Sequence, residues 1–407
     1  MSTTIRARAA DAAMRIAQTL RDPQDIIAPL TRRAASTLCY GLAGTALLHA
    51  SLAAAEPRFA SIAAAHWAAA ARLVDNSPPD GIHTGPGALA ASLIIGTGYL
   101  PANDPHNTLL PRATTWLSAR AVALARHHHR APREQATPWA VYDAIKGLAG
   151  IGRVLLAAHH RGHHTEAEPG LHAALSTLTH MILTPHGIRP GWWLPAALHP
   201  PTVTIPPTGA ATTGLAHGVA GPLAFLATAH QAGHTLPGQR DAIHTAADWL
   251  LTWQTPESTW PPHISGDALD NAPRGTTARL RGRTTAWCYG TPGIATALAS
   301  AGRALDLPSL SHTAAAAMTA LAARPLDNWD IEGTALCHGS AGVLQSAVRL
   351  TCQPVIDHVT PTTLAPLANS RPRGFLTGHT GTALVLADLG GLLPRTADHW
   401  DCLILLS

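Results

Sequence analysis

Two kinds of helical pattern alternate along the chain. One is apolar on every side: "IATALASAGRAL" (294–305) carries a single charged residue, Arg303. The other is amphipathic: in "DAIHTAADWLLTWQ" (241–254) the polar positions gather on one face and the apolar ones on the other. A helix that is apolar all round belongs between other helices. An amphipathic one belongs outside, with its apolar stripe turned inward.

The same short signal introduces each apolar helix. The chain reads "CYGLAGTALL" at 39–48, "HTGPGALAAS" at 83–92 and "IKGLAGIGRVLL" at 145–156. It continues with "AHGVAGPLAFL" at 216–226, "CYGTPGIATAL" at 288–298, "CHGSAGVLQSA" at 337–347 and "LTGHTGTALVL" at 376–386. Six of the seven are G-x-x-G, and the second has Thr84 in place of the first glycine. The closing glycines fall at 44, 87, 150, 221, 293, 342 and 381, so the intervals are 43, 63, 71, 72, 49 and 39 residues. Even the shortest holds two helices and two turns, which makes each unit a helical hairpin. Between the fifth and sixth copies, an inner helix runs to Pro308, an outer one ("SLSHTAAAAMTALAAR") to Pro325, and a polar loop leads to the next motif. One hairpin cannot bury its own apolar face, so the copies must stack as a solenoid or close as a ring. The pattern predicts an all-α, double-layered α/α toroid (barrel) of seven helical hairpins, with residues 1–407 as a single domain.

Two stretches interrupt this rhythm. "PHGIRPGWWLPAALHPPTVTIPPTG" (185–209) is too rich in proline for a long helix and predicts an extended excursion over one mouth of the ring, with short strands. The polar segment 263–285 leads into the fifth motif and is placed to line a cleft.

Composition narrows the picture further. Hydrophobic residues make up 46% of the 407 but aromatics only 4%, so the core is built from Ala, Leu and Ile, which suits closely packed helices. A net charge of +4, spread without basic blocks, argues against a nucleic-acid partner. The N-terminus carries Arg6, Arg8, Asp11 and Arg15 and reads as a first helix rather than a signal peptide. The most apolar stretch, "GALAASLIIGTGYL", is too short and glycine-broken to span a bilayer. The expectation is a soluble, cytoplasmic protein whose cysteines remain thiols.

Equivalent motifs lie at one end of the ring, at similar depth, which brings chemistry together. Cys288 and Cys337 both stand two before the first glycine of their copies, and His338 one before. Two thiolates and an imidazole from neighbouring hairpins suit Zn²⁺ and leave one of its four positions open, as in catalytic sites. The plain alternative is two buried cysteines filling tight space. His217 occupies the −1 position of the fourth copy, beside such a metal, where an acid/base imidazole is useful; packing is its alternative. Tyr289 is a hydrogen-bond donor near the site or core. Asp143, four before Gly147, either orients a histidine or caps a helix. The clusters "RHHHR" (126–130) and "HHRGHH" (159–164) are read as solvated helix ends or loops, because their arginines repel a cation. Cys352 and Cys402 fall outside the motif frame and are read as structural. Cys39 copies the Cys288 frame, but ring geometry places its helix roughly 22 Å from the fifth when inner helices pack ~10 Å apart, beyond reach of a shared metal.

The ordered set "GLAHG", "WCYGTPG", "CHGSAG" and "GFLTGHTG" on seven such hairpins resembles the lanthionine synthetase C-like family over essentially the whole chain. The resemblance implies a zinc-dependent lanthipeptide cyclase, which adds peptide cysteine thiols to dehydroalanine or dehydrobutyrine to form thioether rings. By it, Cys288, Cys337 and His338 match the zinc ligands, and His217, Asp143 and Tyr289 match active-site positions. The family's arginine before "WC" has no matching residue at the expected spacing, since Arg283 lies five before Cys288 and Arg281 further still. The implied partners are a dehydrated precursor peptide (leader plus core), a dehydratase and, as a further member of the complex, a transporter, with peripheral attachment to a membrane-bound complex left open. Two alternatives stay open on the same fold: a zinc enzyme adding glutathione to dehydrated peptides, and a non-catalytic scaffold of a peptide-modifying complex. A terpene-cyclase-like toroid is disfavoured, because the sequence has no DDxxD-type carboxylate cluster for diphosphate.

Overall fold

The computed structural model describes residues 3–74, 80–130, 136–201, 203–271, 283–365 and 372–407. Among them are fourteen helices of ten or more residues, here α1 to α14 in chain order. They are α1 (Thr3–Thr19), α2 (Leu42–Leu52), α3 (Arg58–Leu73), α4 (Gly85–Gly96), α5 (Leu110–Arg130), α6 (Leu148–His160) and α7 (His164–Leu183). The remainder are α8 (Ala220–Gln231), α9 (Gln239–Thr252), α10 (Thr291–Leu305), α11 (Pro308–Ala323), α12 (Ser340–Arg349), α13 (Gln353–Thr363) and α14 (His379–Gly390). The even-numbered helices follow the seven motifs and form the inner ring. Each packs on the next, and α14 returns to α2. The odd-numbered helices form the outer layer. The all-apolar helices are inside because every face of theirs meets protein: every residue of α2 is buried, whereas only one stripe of α9 is.

Among the described residues no outer helix follows the seventh inner one. The N-terminal helix α1 takes that place, packing along α14, so the first and last helices of the ring form one pair. Gly390 permits the contact, since a Cβ there would lie 2.6 Å from the Ala10 nitrogen. The second glycine of each motif has a related steric cause. In all seven copies a Cβ at that position would stand 2.0–2.6 Å from the carbonyl oxygen six residues earlier, so no side chain fits where the chain turns into the inner helix. At Thr84 the backbone is extended (φ −135°), which any residue adopts, and the first glycine of that copy is dispensable.

The segment at 398–407 runs into the middle of the ring. Trp400, Asp401, Cys402, Leu403 and Ile404 are buried there. The Asp401 carboxylate accepts from Gln345 and Arg349 of α12, and Asp398 accepts from Arg153 of α6 (2.8 Å). The Trp287 indole donates to the Ile404 carbonyl at 3.0 Å, and His83 Nε2 lies 3.1 Å from that of Leu403. An Ala-rich inner ring leaves space at its axis, and this segment fills it.

The 185–209 excursion contributes strand β1 (Trp193–Leu194), which pairs with β2 (Ala210–Thr212); β2 in turn pairs with β3 (His263–Ser265), all antiparallel. No helix among the described residues is long and apolar enough to cross a membrane.

Candidate active site

The seven motifs sit at one mouth of the ring, where backbone hydrogen bonds link neighbouring copies. The Cys39 N–H donates to the His83 carbonyl (3.1 Å), Ile82 to Ile145 (3.2 Å), Ala144 to Ala216 (3.0 Å) and Ala216 to Cys288 (3.2 Å). The relay resumes as Cys337 donates to Leu376 (2.8 Å) and Phe375 to Leu38 (3.3 Å). Among the described residues no such bond joins the fifth copy to the sixth. At that junction stand Cys288, Cys337 and His338.

Side chains bridge the gap instead. The Asp330 carboxylate accepts from the backbone N–H groups of Thr284 (2.6 Å) and Thr285 (3.0 Å), and Arg283 donates to the Asp330 carbonyl (2.7 Å) and to Glu332. Arg283 therefore clamps together the loops that carry the two cysteines. Arg281 lies outside the described residues. Gly290, at φ +123°, shapes the fifth loop, and a Cβ there would lie 2.1 Å from the Thr284 carbonyl carbon.

The sulfur atoms of Cys288 and Cys337 and a ring nitrogen of His338 all lie within 4.8 Å of one another, and Cys288 Sγ is 3.0 Å from His338 Nδ1. The hydrogen bond from Cys288, then that from His338, holds the Cys337 thiol below its ordinary range against the opposing effect of burial. Burial pushes Cys288 up. One thiolate therefore forms readily, and thiolate is the form that binds a soft or borderline cation. Two thiols and one imidazole are a donor set that fits zinc. Cys39 is buried and outside this group, its thiol raised first by burial and then by Cys337. Cys352 and Cys402 are likewise free thiols outside the group.

His217 and Asp143 meet at the adjoining copies. His217 Nδ1 lies 2.6 Å from Asp143 Oδ2. Asp143 Oδ1 accepts three backbone N–H groups, from Ile145 (3.0 Å), Lys146 (2.7 Å) and Gly147 (2.8 Å). One oxygen therefore holds the turn that precedes α6 and the other meets His217, but the helix-cap reading is not met, because the N-cap of α6 is Gly147, four residues on, with no side-chain cap bond. Asp143 is 2% exposed and His217 30%, so the imidazole alone faces the mouth. Tyr289 has its ring 6.3 Å from His217, and its hydroxyl is held well above the ordinary range by burial and then by Cys288, Asp143 and Cys337.

Three neighbours were not legible as site residues. Trp139 stacks face to face on His217 (4.9 Å, 13°) and on His263 (6.4 Å, 5°), and His199 meets its edge at 5.3 Å. His199 comes from the 185–209 stretch and His263 from β3, so side chains of two irregular segments meet Trp139 beside His217. Trp139 had a faint signal, lying four residues before Asp143 in "PWAVYDAIKG".

Comparison with known proteins agrees with this architecture. No curated protein sequence matches the chain significantly. Among solved structures, nisin cyclase superposes with a TM-score of 0.81 over 97% of each chain at 18% identity, a likeness of fold. Residues 34–351, well over half of the chain, match the model of the lanthionine synthetase C-like proteins. This chain belongs to the lanthionine synthetase C-like family.

Proposed function

We propose that the protein is a zinc-dependent lanthipeptide cyclase, joining cysteine thiols of a dehydrated precursor peptide to its dehydroalanine or dehydrobutyrine residues as (methyl)lanthionine rings. The observation that carries this reading is the Cys288–Cys337–His338 group beside the Asp143–His217 pair in one mouth of a family toroid. Cys288, Cys337 and His338 would hold the ion. When bound, zinc supplies a Lewis acid that favours the thiolate of an incoming peptide cysteine.

The remaining work falls to the chain's own groups. Hydrogen bonding to Asp143 sets the His217 proton on Nδ1 and leaves Nε2 to take up a proton from the thiol. The S–Cβ bond then forms, the double-bond electrons move to Cα and the adjoining carbonyl, and His217 returns a proton to Cα. Atoms balance, because S–H has added across C=C. Tyr289, protonated at working pH, is a donor for the carbonyl oxygen as it gains charge. Trp139 holds the imidazole plane. The same reading takes the closed ring as one domain in the cytoplasm, with the precursor's leader, a dehydratase and a transporter as partners.

Cyclisation leaves peptide mass unchanged, so the test counts free thiols by alkylation of a dehydrated precursor after incubation. His217→Ala is expected to keep its zinc and fold while ring formation slows by ~10²–10⁴-fold. Wild-type rates in that variant would remove His217 from the chemistry. A peptide gaining the mass of glutathione instead would favour intermolecular addition.

A further inference from the structure

At the opposite end of the ring, the inner helices α6 and α8 finish in the same way. The sequence repeats A-H-x-x-G-H at 158–163 and 229–234. In each copy the glycine takes the left-handed conformation (Gly162 φ +89°, Gly233 φ +87°). The following histidine N–H then returns to the helix, His163 to Ala158 (3.1 Å) and His234 to Ala229 (2.9 Å). Because α6 and α8 are neighbours, the two caps stand side by side and gather imidazoles from both.

His159 and His234 meet edge to face with ring centres 4.4 Å apart. Glu168, one turn along α7 from His164, brings Oε2 to 3.9 Å from His159 Nε2. Donor atoms of His159, Glu168 and His234 lie within 4.8 Å of one another. His164 adds a fourth donor, its Nδ1 being 3.0 Å from His159 Nε2. Ligand atoms on one ion with bonds of ~2.1 Å stand roughly 3–3.4 Å apart, so closure asks little beyond rotation of the Glu168 side chain, which is 60% exposed.

The arginine expected to repel a cation is turned away. Arg161 donates to the Ile94 carbonyl, Thr97 Oγ1 and Asn107 Oδ1 on the second hairpin, and His160 points to Asp398. The C-terminal ends of two inner helices, with their partial negative charge, face the cluster.

We propose that His159, His234 and Glu168, with His164 beside them, form a second site for a borderline divalent transition metal such as Zn²⁺. Nitrogen-rich donors of this kind suit zinc, nickel or copper rather than magnesium or calcium. The site lies roughly 17 Å from the motif end of α6, eleven residues at 1.5 Å each. It takes no part in the proposed reaction and ties the third hairpin to the fourth.

The test uses full-length, tag-free protein stripped by a chelator and titrated with Co²⁺ alone. Two cobalt ions per chain are expected, and thiolate-to-cobalt charge-transfer absorption should saturate with one of them. His234→Ala combined with Glu168→Gln should weaken the second ion at least ~10–100-fold with the charge-transfer band intact. Cys288→Ser combined with Cys337→Ser should abolish that band and leave the second ion bound. A single cobalt per chain, a second ion held only at millimolar concentrations, or a second ion indifferent to the His234/Glu168 variant would overturn the proposal.

Discussion

Replacing Asp143 with asparagine separates its two roles. Three backbone N–H groups point at Oδ1, so the asparagine amide must keep its oxygen there, since the flipped rotamer would set donor against three donors. Its NH₂ then faces His217 Nδ1 in place of the acceptor now 2.6 Å away. Nδ1 becomes an acceptor, the proton shifts to Nε2, and the nitrogen facing the substrate can no longer take up a proton. The expected loss is ~10²–10⁴-fold in ring formation, or roughly 2.7–5.4 kcal/mol of barrier at ~1.36 kcal/mol per tenfold. Folding should lose only about 1–2 kcal/mol, because the acceptor survives but its charge does not. Asp143→Ala orphans all three N–H groups and should cost more, roughly 2–5 kcal/mol. Alkylation-counted cyclisation, thermal denaturation and zinc content, measured together on both variants, check the scheme. A folded, zinc-replete Asp143→Asn protein cyclising within threefold of wild type would refute the tautomer argument.

Other outcomes follow from the same structure. Cys288→Ala and Cys337→Ala should each lose the high-affinity zinc of the motif mouth, read as loss of the cobalt charge-transfer band; an intact band in both would remove them as ligands. Cys39→Ala should keep that band and full activity, because its sulfur lies outside the donor group, and loss of metal in a folded Cys39→Ala protein would contradict this geometry. Asp401 is fully buried, and despite the cost of burial its pKa is held far below the ordinary range by His399 and Arg349. Its stabilisation is therefore complete above the unfolded value near ~3.9 and is lost as pH falls below it. Asp401→Asn should lower stability by about 3–5 kcal/mol at pH 7, and the difference from wild type should shrink in acid; a pH-independent difference would refute the linkage.

Much of this protein is local, and the local part was readable in order along the chain. Seven glycine signals, each before a largely apolar helix, specify the inner ring because a Cβ at the second glycine collides with a carbonyl only six residues earlier. The grouping of Cys288, Cys337 and His338 was legible for the same reason: equivalent positions in adjacent copies of a ring must be close. Asp143 left two readings that sequence could not separate; the fold aims one oxygen at His217 and the other at the turn before α6, whose cap is Gly147. The tertiary structure alone decided what depends on distant segments. Helix α1 was visible as a helix, yet its place on α14 arises because ring closure leaves that inner helix uncovered. The segment at 398–407 settles in the axial space that only a closed ring creates. Trp139, His199 and His263 meet at His217 from three separate segments, and His159 meets His234 across 75 residues. Periodicity reports which side of a helix is buried and repeats report which units are neighbours; neither encodes where irregular chain settles, because that is fixed by the space the regular elements leave.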